Sequence, residues 1–136
     1  MVEIDIRYEG GLHTGARHGP SAATLETDAP RDNEGRGEAF SPTDLLATAL
    51  GSCMLTVMGI VARRHEWPLE GATAHVEKHM VADPVRRVGR LVVRFEMPSG
   101  ISEEARKVLE RTAHTCPVKE SLHPDTRVET TFHWSS

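Results

Sequence analysis

Two cysteines are the residues of this chain that are best suited to covalent chemistry. Cys53 lies within the segment GSCM, and Cys116 lies within the segment HTCP. A thiolate can attack an oxidant or a disulfide, and it can also bind a metal ion. A protonated thiol in a protein core behaves instead as a small apolar group. The residue types therefore allow a redox role, a metal-binding role or a purely structural role for this pair.

The spacing of the cysteines and the redox environment of the protein exclude some of these roles. The chain has no Cys-x-x-Cys motif, so it supports neither a zinc ribbon nor a thioredoxin-like site. His114 together with Cys53 and Cys116 would supply only three protein ligands, without the spacing that is usual for zinc. A structural disulfide is disfavoured in a reducing compartment. We therefore expect no metal, and burial of both thiols in a core stays an alternative to redox chemistry.

The segment around Cys53 is predicted to be a long helix. Ser41 is a favourable N-cap, Pro42 suits the first helical position, and Asp44 places a carboxylate in the first turn. Residues 45–62 contain no charge and place apolar side chains on every face, which predicts a helix buried on all sides. Cys53 lies 12 residues after the N-cap. Because the helix dipole acts only within the first turn, activation of Cys53 needs a cation from elsewhere.

The remaining segments show strand and helix patterns in turn. Apolar and polar residues alternate over 2–8, which predicts a half-buried strand, and more strands are predicted over 12–17, 22–27, 72–80, 89–97 and 128–134. We expect a long loop over 28–39 and a second helix over 102–114, after which Pro117 either stops that helix or begins a short one. This order predicts a single α+β domain over 1–136, with largely antiparallel strands packed against helices.

These features together resemble the OsmC/Ohr family of thiol-dependent peroxidases. The stretch FSPTDLLATALGSC ends at Cys53, eleven residues after Pro42, which matches the family's interval between the helix-start proline and the reactive cysteine. Cys116 is followed by Pro117 at the end of the second predicted helix, like the family's second cysteine. The order of strands and helices agrees as well, so the resemblance covers nearly the whole chain.

The resemblance implies a fold, an assembly and a reaction. The fold would be OsmC-like, with antiparallel sheets wrapped around long central helices in an intertwined homodimer. A homodimer is also expected because one chain of this size can scarcely cover both sides of the long helix. Cys53 would attack an organic hydroperoxide, or hydrogen peroxide, and become a sulfenic acid. Cys116 would then form a disulfide with Cys53, and an external dithiol or lipoylated reductant would reduce it, without any bound cofactor.

A basic residue near the N-terminus belongs to the implied site. Arg17 stands where the family's arginine holds the reactive cysteine as a thiolate. The glutamate that orients this arginine in the family is replaced by Thr43, with Asp44 one residue later on a different side of the helix. Glu38, in the preceding loop, is the carboxylate that we expect to reach Arg17 instead. This departure is typical of a divergent branch, so a non-enzymatic redox-responsive or binding protein on the same fold is the alternative.

Composition excludes several other classes of function. The 136 residues carry a formal net charge of −4, and no basic patch is long enough to bind nucleic acid. The N-terminus lacks the layout of a signal peptide. We see no apolar run that approaches the roughly 18 to 20 residues needed to span a bilayer, so we expect a cytoplasmic protein without a membrane partner. Among the eight histidines, His18 and His114 are candidates for proton transfer.

Overall fold

The computed structural model describes all residues, 1–136, which form two compact units over 1–46 and 47–136. The first unit contains strands β1 (Ile4–Gly10), β2 (His13–His18) and β3 (Thr24–Asp28) and a short 3-10 helix (Arg31–Asn33). Helix α1 (Pro42–His65) leads into the second unit, which adds β4 (Thr73–Val81), β5 (Arg87–Met97), α2 (Glu103–Ala113), α3 (Pro117–Glu120) and β6 (Arg127–Trp134). The α+β class is confirmed, and the single domain over 1–136 stays a prediction.

The first unit contains an antiparallel sheet with the strand order β1-β2-β3. The turn between β1 and β2 has left-handed backbone, with φ of 85° at Gly10 and 62° at Gly11, which glycine adopts without steric cost. The register shifts between Tyr8 and Gly10, so Glu9 is the extra residue of a β-bulge. Each of the three strands begins one or two residues later than predicted, because ladder hydrogen bonds rather than side-chain alternation set the strand ends.

The apolar face of β1 is exposed in the single chain, which corrects the expectation of a half-buried strand. The side chains of Ile4, Ile6 and Tyr8 have relative exposures of 57%, 68% and 64%. Alternation indicates which residues share a face of a strand, but it does not indicate whether anything covers that face. Contiguous exposed apolar surface of this kind marks interaction sites more often than free surface.

Specific backbone contacts order the polar loop that follows β3. The amide N–H of Gly35 donates to the Pro30 carbonyl at 2.9 Å, and the amide N–H of Gly37 donates to the Ala29 carbonyl at 3.2 Å. A Cβ atom at position 35 would lie 1.8 Å from the Ala29 carbonyl oxygen, so only glycine fits there. The predicted loop is therefore a closed structure in which glycine allows the chain to fold back on itself.

Helix α1 begins with the cap that the sequence predicts. The amide N–H of Asp44 donates to Ser41 Oγ at 3.1 Å, and the amide N–H of Ser41 donates to Asp44 Oδ2 at 2.9 Å. This reciprocal pair satisfies two N–H groups at the helix start. The helix ends at His65, after a last turn that also contains Arg63 and Arg64, where positive charge suits the C-terminal end of the helix dipole.

Only one stripe of α1 is buried within the single chain, so burial of the helix on all sides stays a prediction that requires a second copy of the chain. The buried positions recur every three or four residues and are Ala47, Leu50, Gly51, Met54, Met58 and Ala62. Leu46 and Ile60, which lie outside the stripe, are 37% and 47% exposed. Helix α1 therefore has more apolar surface than a single chain covers.

The length and composition of α1 also meet the requirement for crossing a membrane. An 18-residue window of Pro42–His65 has a mean hydropathy of 2.0, and 33% of that window is buried. This finding corrects the expectation that no apolar segment approaches a membrane-spanning length. It is weak evidence for a membrane span, because the core helix of a water-soluble protein passes the same test.

The second unit has a three-stranded sheet with the order β4-β5-β6. Strand β4 pairs antiparallel with β5, whereas β6 pairs parallel with β5. Helix α2 begins where predicted, because Ser102 Oγ accepts a hydrogen bond from the Ala105 amide at 3.2 Å. One apolar cluster joins α1, the sheet and α2, and its fully buried members include Leu50, Met54, Met58, Leu91, Val93 and Leu109. This core fixes the part of α1 that carries Cys53.

Two glycines of α1 give opposite predictions for the same substitution. A Cβ at Gly51 would lie 2.9 Å from Val76 Cγ2, whereas a Cβ at Gly59 would meet no atom within 4 Å. Alanine is more favourable than glycine in a helix by roughly 1 kcal/mol, and overpacking a core costs about 1–3 kcal/mol. We expect Gly59→Ala to raise the free energy of unfolding by up to about 1 kcal/mol, and Gly51→Ala to lower it by up to about 2 kcal/mol.

Denaturant unfolding of the two variants checks this pair of predictions, with each glycine variant acting as the control for the other. Equal stabilities would show that helix propensity alone decides both substitutions, and that the close approach of α1 to β4 has no energetic consequence.

Candidate functional site

Two thiols from distant parts of the sequence meet in the second unit. Cys53 lies on α1 and is half-buried, while Cys116 precedes α3 and is fully buried. Cys53 lies close enough to Cys116 to raise the pKa of its thiol, and both cysteines are free rather than joined in a disulfide. Helix α1 positions Cys53 through its buried stripe, and the turn between α2 and α3 positions Cys116. The fold therefore brings together two thiols with unequal access to solvent.

Cys116 also caps the short helix α3. Its Sγ accepts a hydrogen bond from the Lys119 amide at 3.2 Å, and Pro117 occupies the start of the helix. Of the two outcomes that the sequence allows at Pro117, a short helix is the one observed. Burial raises the pKa of the Cys116 thiol; the Lys119 amide opposes this effect, and the adjacent Cys53 adds to it. Cys116 is therefore a protonated thiol at neutral pH.

Two adjacent thiols of this kind can be oxidised one after the other. An oxidant in solution has access to Cys53 before it has access to the fully buried Cys116. A sulfenic acid on Cys53 would have a thiol within contact distance, and such a pair condenses to a disulfide with loss of water. Neighbouring thiols also permit reduction of that disulfide by thiol–disulfide exchange.

His114 does not join the cysteines in a metal-binding cluster. Its Nε2 lies 3.2 Å from Thr130 Oγ1. Burial lowers the pKa of His114 below its ordinary value of 6.5, and the positive charge of Lys119 acts in the same direction. His114 is therefore neutral at pH 7. Its role in proton transfer stays a prediction, as does that of His18, whose Nδ1 lies 2.6 Å from Ser21 Oγ.

The other two candidate site residues, Arg17 and Glu38, lie in the first unit. Arg17 is exposed on β2, where it pairs with Asp5 of β1 and Thr24 of β3. Glu38 lines a different cavity from Arg17, and its amide N–H donates to Asp28 Oδ2 at 3.0 Å. No ion pair joins Arg17 to Glu38 in this chain. The roles of both residues at Cys53 stay predictions.

Thr43 and Asp44 serve the start of α1. Thr43 Oγ1 lies 3.3 Å from Ser41 Oγ, and the Asp44 carboxylate accepts the Ser41 amide of the helix cap. The carboxylate nearest in sequence to the position of the family's glutamate is thus engaged in capping the helix.

A polar cluster around His13 in the first unit is not evident from the sequence. His13 Nδ1 lies 2.5 Å from Oδ1 of Asp28, which is only 4% exposed. The hydrogen bond from Asp28 raises the pKa of His13 above its ordinary 6.5, with Glu26 adding to the effect. The same hydrogen bond lowers the pKa of Asp28 below its ordinary 3.8, against the effect of burial. The β2–β3 register places His13 opposite Asp28, and side-chain alternation does not reveal that register.

These two pKa shifts predict a pH-dependent contribution to stability. The contribution of a histidine with a raised pKa is complete below 6.5 and is lost as the pH rises through the folded-state pKa. The contribution of a carboxyl group with a lowered pKa is complete above 3.8 and is lost as the pH falls through its folded-state value. We therefore expect Asp28→Asn to lower the melting temperature more at pH 5.5 than at pH 8.5.

Melting curves of the wild type and Asp28→Asn at the two pH values test this expectation. His13→Gln is the matched control, because glutamine can donate to Asp28 but does not titrate. In the His13→Gln background, the effect of Asp28→Asn should no longer differ between the two pH values. An equal effect in both backgrounds would contradict a protonated His13 paired with Asp28.

Comparison with known proteins identifies the family. The family model described as OsmC-like protein matches residues 35–131. A Psychrobacter arcticus 273-4 structure, provisionally described as an osmotic stress induced and detoxification response protein, is 47% identical with a TM-score of 0.92, over 98% of this chain and 96% of that chain. A comparison with curated proteins gave no match.

Two more distant structures have the same fold. The organic hydroperoxide resistance protein OsmC of Legionella pneumophila is 21% identical with a TM-score of 0.74, over 98% of this chain and 96% of that chain. An OsmC like protein of Mycoplasma pneumoniae is 15% identical with a TM-score of 0.83, over 100% of this chain and 98% of that chain. These likenesses confirm the OsmC-like fold that the family resemblance implies. With a family match over most of its length and a relative at 47% identity, the chain belongs to the OsmC family.

Proposed function

We propose that this protein is a thiol-dependent peroxidase that reduces organic hydroperoxides. The contact between a half-buried Cys53 and a buried Cys116 carries the proposal. The Cys53 thiolate attacks one peroxide oxygen, the O–O bond breaks, and an alcohol leaves after protonation while Cys53 becomes a sulfenic acid. The Cys116 sulfur then attacks the Cys53 sulfur, and a disulfide forms as water leaves. An external dithiol, free or lipoylated, reduces this disulfide and is itself oxidised to a disulfide.

Names of relatives support the same chemistry. The Legionella pneumophila structure and one from Elizabethkingia anophelis are both described as organic hydroperoxide resistance proteins. Thr43, at the position of the family's glutamate, favours the alternative of a non-enzymatic redox-responsive protein. We propose that Arg17 nevertheless supplies the cation that favours the Cys53 thiolate, in a cytoplasmic protein that needs no bound cofactor.

Thiol counting separates the enzyme from the alternative of a non-enzymatic redox-responsive or binding protein. Reduced protein is mixed with a slight excess of cumene hydroperoxide, and free thiols are counted at short times. We expect rapid loss of both thiols of each chain, with one peroxide consumed per disulfide formed. Retention of both thiols over many minutes would favour the non-enzymatic protein, because no sulfenic acid would then have formed.

We further propose that the protein is a homodimer. The exposed apolar face of β1 and the exposed positions Leu46 and Ile60 of α1 are surfaces that a second copy of the chain would cover. Sedimentation equilibrium at micromolar concentration should give twice the chain mass of 15.0 kDa. A stable, folded species of one chain mass would count against this assembly.

A further inference from the structure

One histidine and two carboxylates lie close together on the first sheet. His13 Nε2 lies 3.1 Å from Glu26 Oε1 and 3.6 Å from Glu9 Oε1. The ligand atoms of Glu9, His13 and Glu26 all lie within 4.8 Å of one another. Metal ligands at the corners of a tetrahedron with bonds of about 2.0–2.1 Å are about 3.3 Å apart. The two distances from the imidazole are therefore close to those of a metal coordination shell.

The β1 bulge and the glycine at position 15 place the Glu9 carboxylate beside His13. Glu9 is the extra residue of the β1 bulge, between the paired residues Tyr8 and Gly10, and a bulge redirects the side chain that it carries. A Cβ at Gly15 would lie 3.1 Å from Glu9 Oε1. The missing side chain at Gly15 thus leaves the space in which the Glu9 carboxylate lies.

Asp28 fixes the orientation of the imidazole. Its Oδ1 accepts from His13 Nδ1 at 2.5 Å, and its Oδ2 accepts from the Glu38 amide at 3.0 Å. With both oxygens engaged and the side chain 5% exposed, this carboxylate can hold the proton of neutral His13 on Nδ1. The lone pair of Nε2 then points towards Glu9 and Glu26. A carboxylate behind a histidine in this way is the usual support for a histidine that binds a metal.

The charges around the cluster favour a cation. Four carboxylates line the cavity of about 600 Å³ in front of it, those of Glu9, Glu26, Asp28 and Glu38. The only positively charged groups in its lining are Arg36 and, when protonated, His13. Negative charge therefore stays in excess even with a histidinium ion present, and a divalent cation would offset it.

We propose that Glu9, His13 and Glu26 bind one divalent transition-metal ion of the zinc type, with Asp28 as the residue that positions His13. Imidazole and carboxylate ligands together suit Zn²⁺ and its neighbours in the first transition row better than Mg²⁺ or Ca²⁺. The remaining coordination position faces the open cavity. These residues belong to the first unit and the two cysteines to the second. The inference does not rest on the peroxidase proposal, and it departs from the sequence-based expectation of no metal.

Isothermal titration of the reduced protein with ZnCl₂ tests the site directly. We expect one Zn²⁺ per chain, and His13→Gln should weaken binding more than any change to an outer-shell partner, because it loses the only nitrogen ligand. His13→Gln keeps a side-chain donor for Asp28, so it should fold. Asp28→Asn should weaken binding by about 10- to 100-fold, because the His13 imidazole loses the carboxylate that orients it while all three ligands remain. Gly15→Ala should also weaken binding, because the added Cβ displaces the Glu9 carboxylate.

Two control variants test whether Zn²⁺ binds elsewhere on the chain. His133, which lies 2.7 Å from a single carboxylate, that of Glu96, is the matched control, and His133→Gln should bind Zn²⁺ like the wild type. Cys53→Ser should do so as well, because neither cysteine belongs to the group of Glu9, His13 and Glu26. Binding that persists in a folded His13→Gln protein, that disappears in Cys53→Ser, or that is absent at millimolar ZnCl₂ would overturn the proposal.

Discussion

Cys53→Ser is expected to abolish peroxide consumption, whereas Cys116→Ser is expected to permit one oxidation event and then stop. A serine hydroxyl at position 53 is a far weaker nucleophile than a thiolate, so the O–O bond should stay intact. Without Cys116, the sulfenic acid on Cys53 has no partner thiol in contact and should persist or become overoxidised. Stopped-flow mixing with cumene hydroperoxide, followed by mass spectrometry of the products, measures both outcomes.

The two serine variants should both fold, so the comparison is a fair one. Serine is itself a favourable N-cap, and in Cys116→Ser it can accept the Lys119 amide that Cys116 Sγ accepts at 3.2 Å. Arg17→Ala adds an independent test of the cation, because it should slow alkylation of Cys53 at neutral pH without removing either thiol. Full turnover by Cys53→Ser would contradict the assignment of Cys53 as the nucleophile.

Organic hydroperoxides are expected to oxidise Cys53 faster than hydrogen peroxide does, by roughly two orders of magnitude. Cys53 packs against the apolar core cluster, and its helix carries leucine, methionine and valine on the neighbouring positions. Each buried CH₂ group contributes about 0.8 kcal/mol of transfer free energy. Three or four such groups, if fully buried in the transition state, correspond to a factor of roughly 100 in rate.

Second-order rate constants for cumene hydroperoxide, tert-butyl hydroperoxide and hydrogen peroxide test this preference. The three peroxides should rank by apolar size, and the same order should hold in Cys116→Ser, where only the first oxidation step is observed. Equal rates for all three would mean that the apolar surroundings of Cys53 serve packing alone, and would favour a general redox role.

The sequence alone determined the order of the elements and the start of α1. Local interactions carry this information: the Ser41–Asp44 cap involves residues three positions apart, and the apolar periods of α2 and the strands repeat within one element. The stretch that ends at Cys53, the Cys116-Pro117 pair and the order of the elements together indicated the family. These features do not depend on tertiary contacts with the rest of the chain.

Only the tertiary structure decided which surfaces are covered and which distant side chains meet. The sequence predicts the apolar faces of β1 and α1, but Ile6 is 68% exposed and one stripe of α1 is buried, because burial depends on the partners that the fold supplies. The contact of Cys116 with Cys53 depends on the packing of α2 and α3 against the same core as α1. The cluster of Glu9, His13 and Glu26 depends on strand register and on one bulge, and a shift of one residue would turn each side chain to the opposite face.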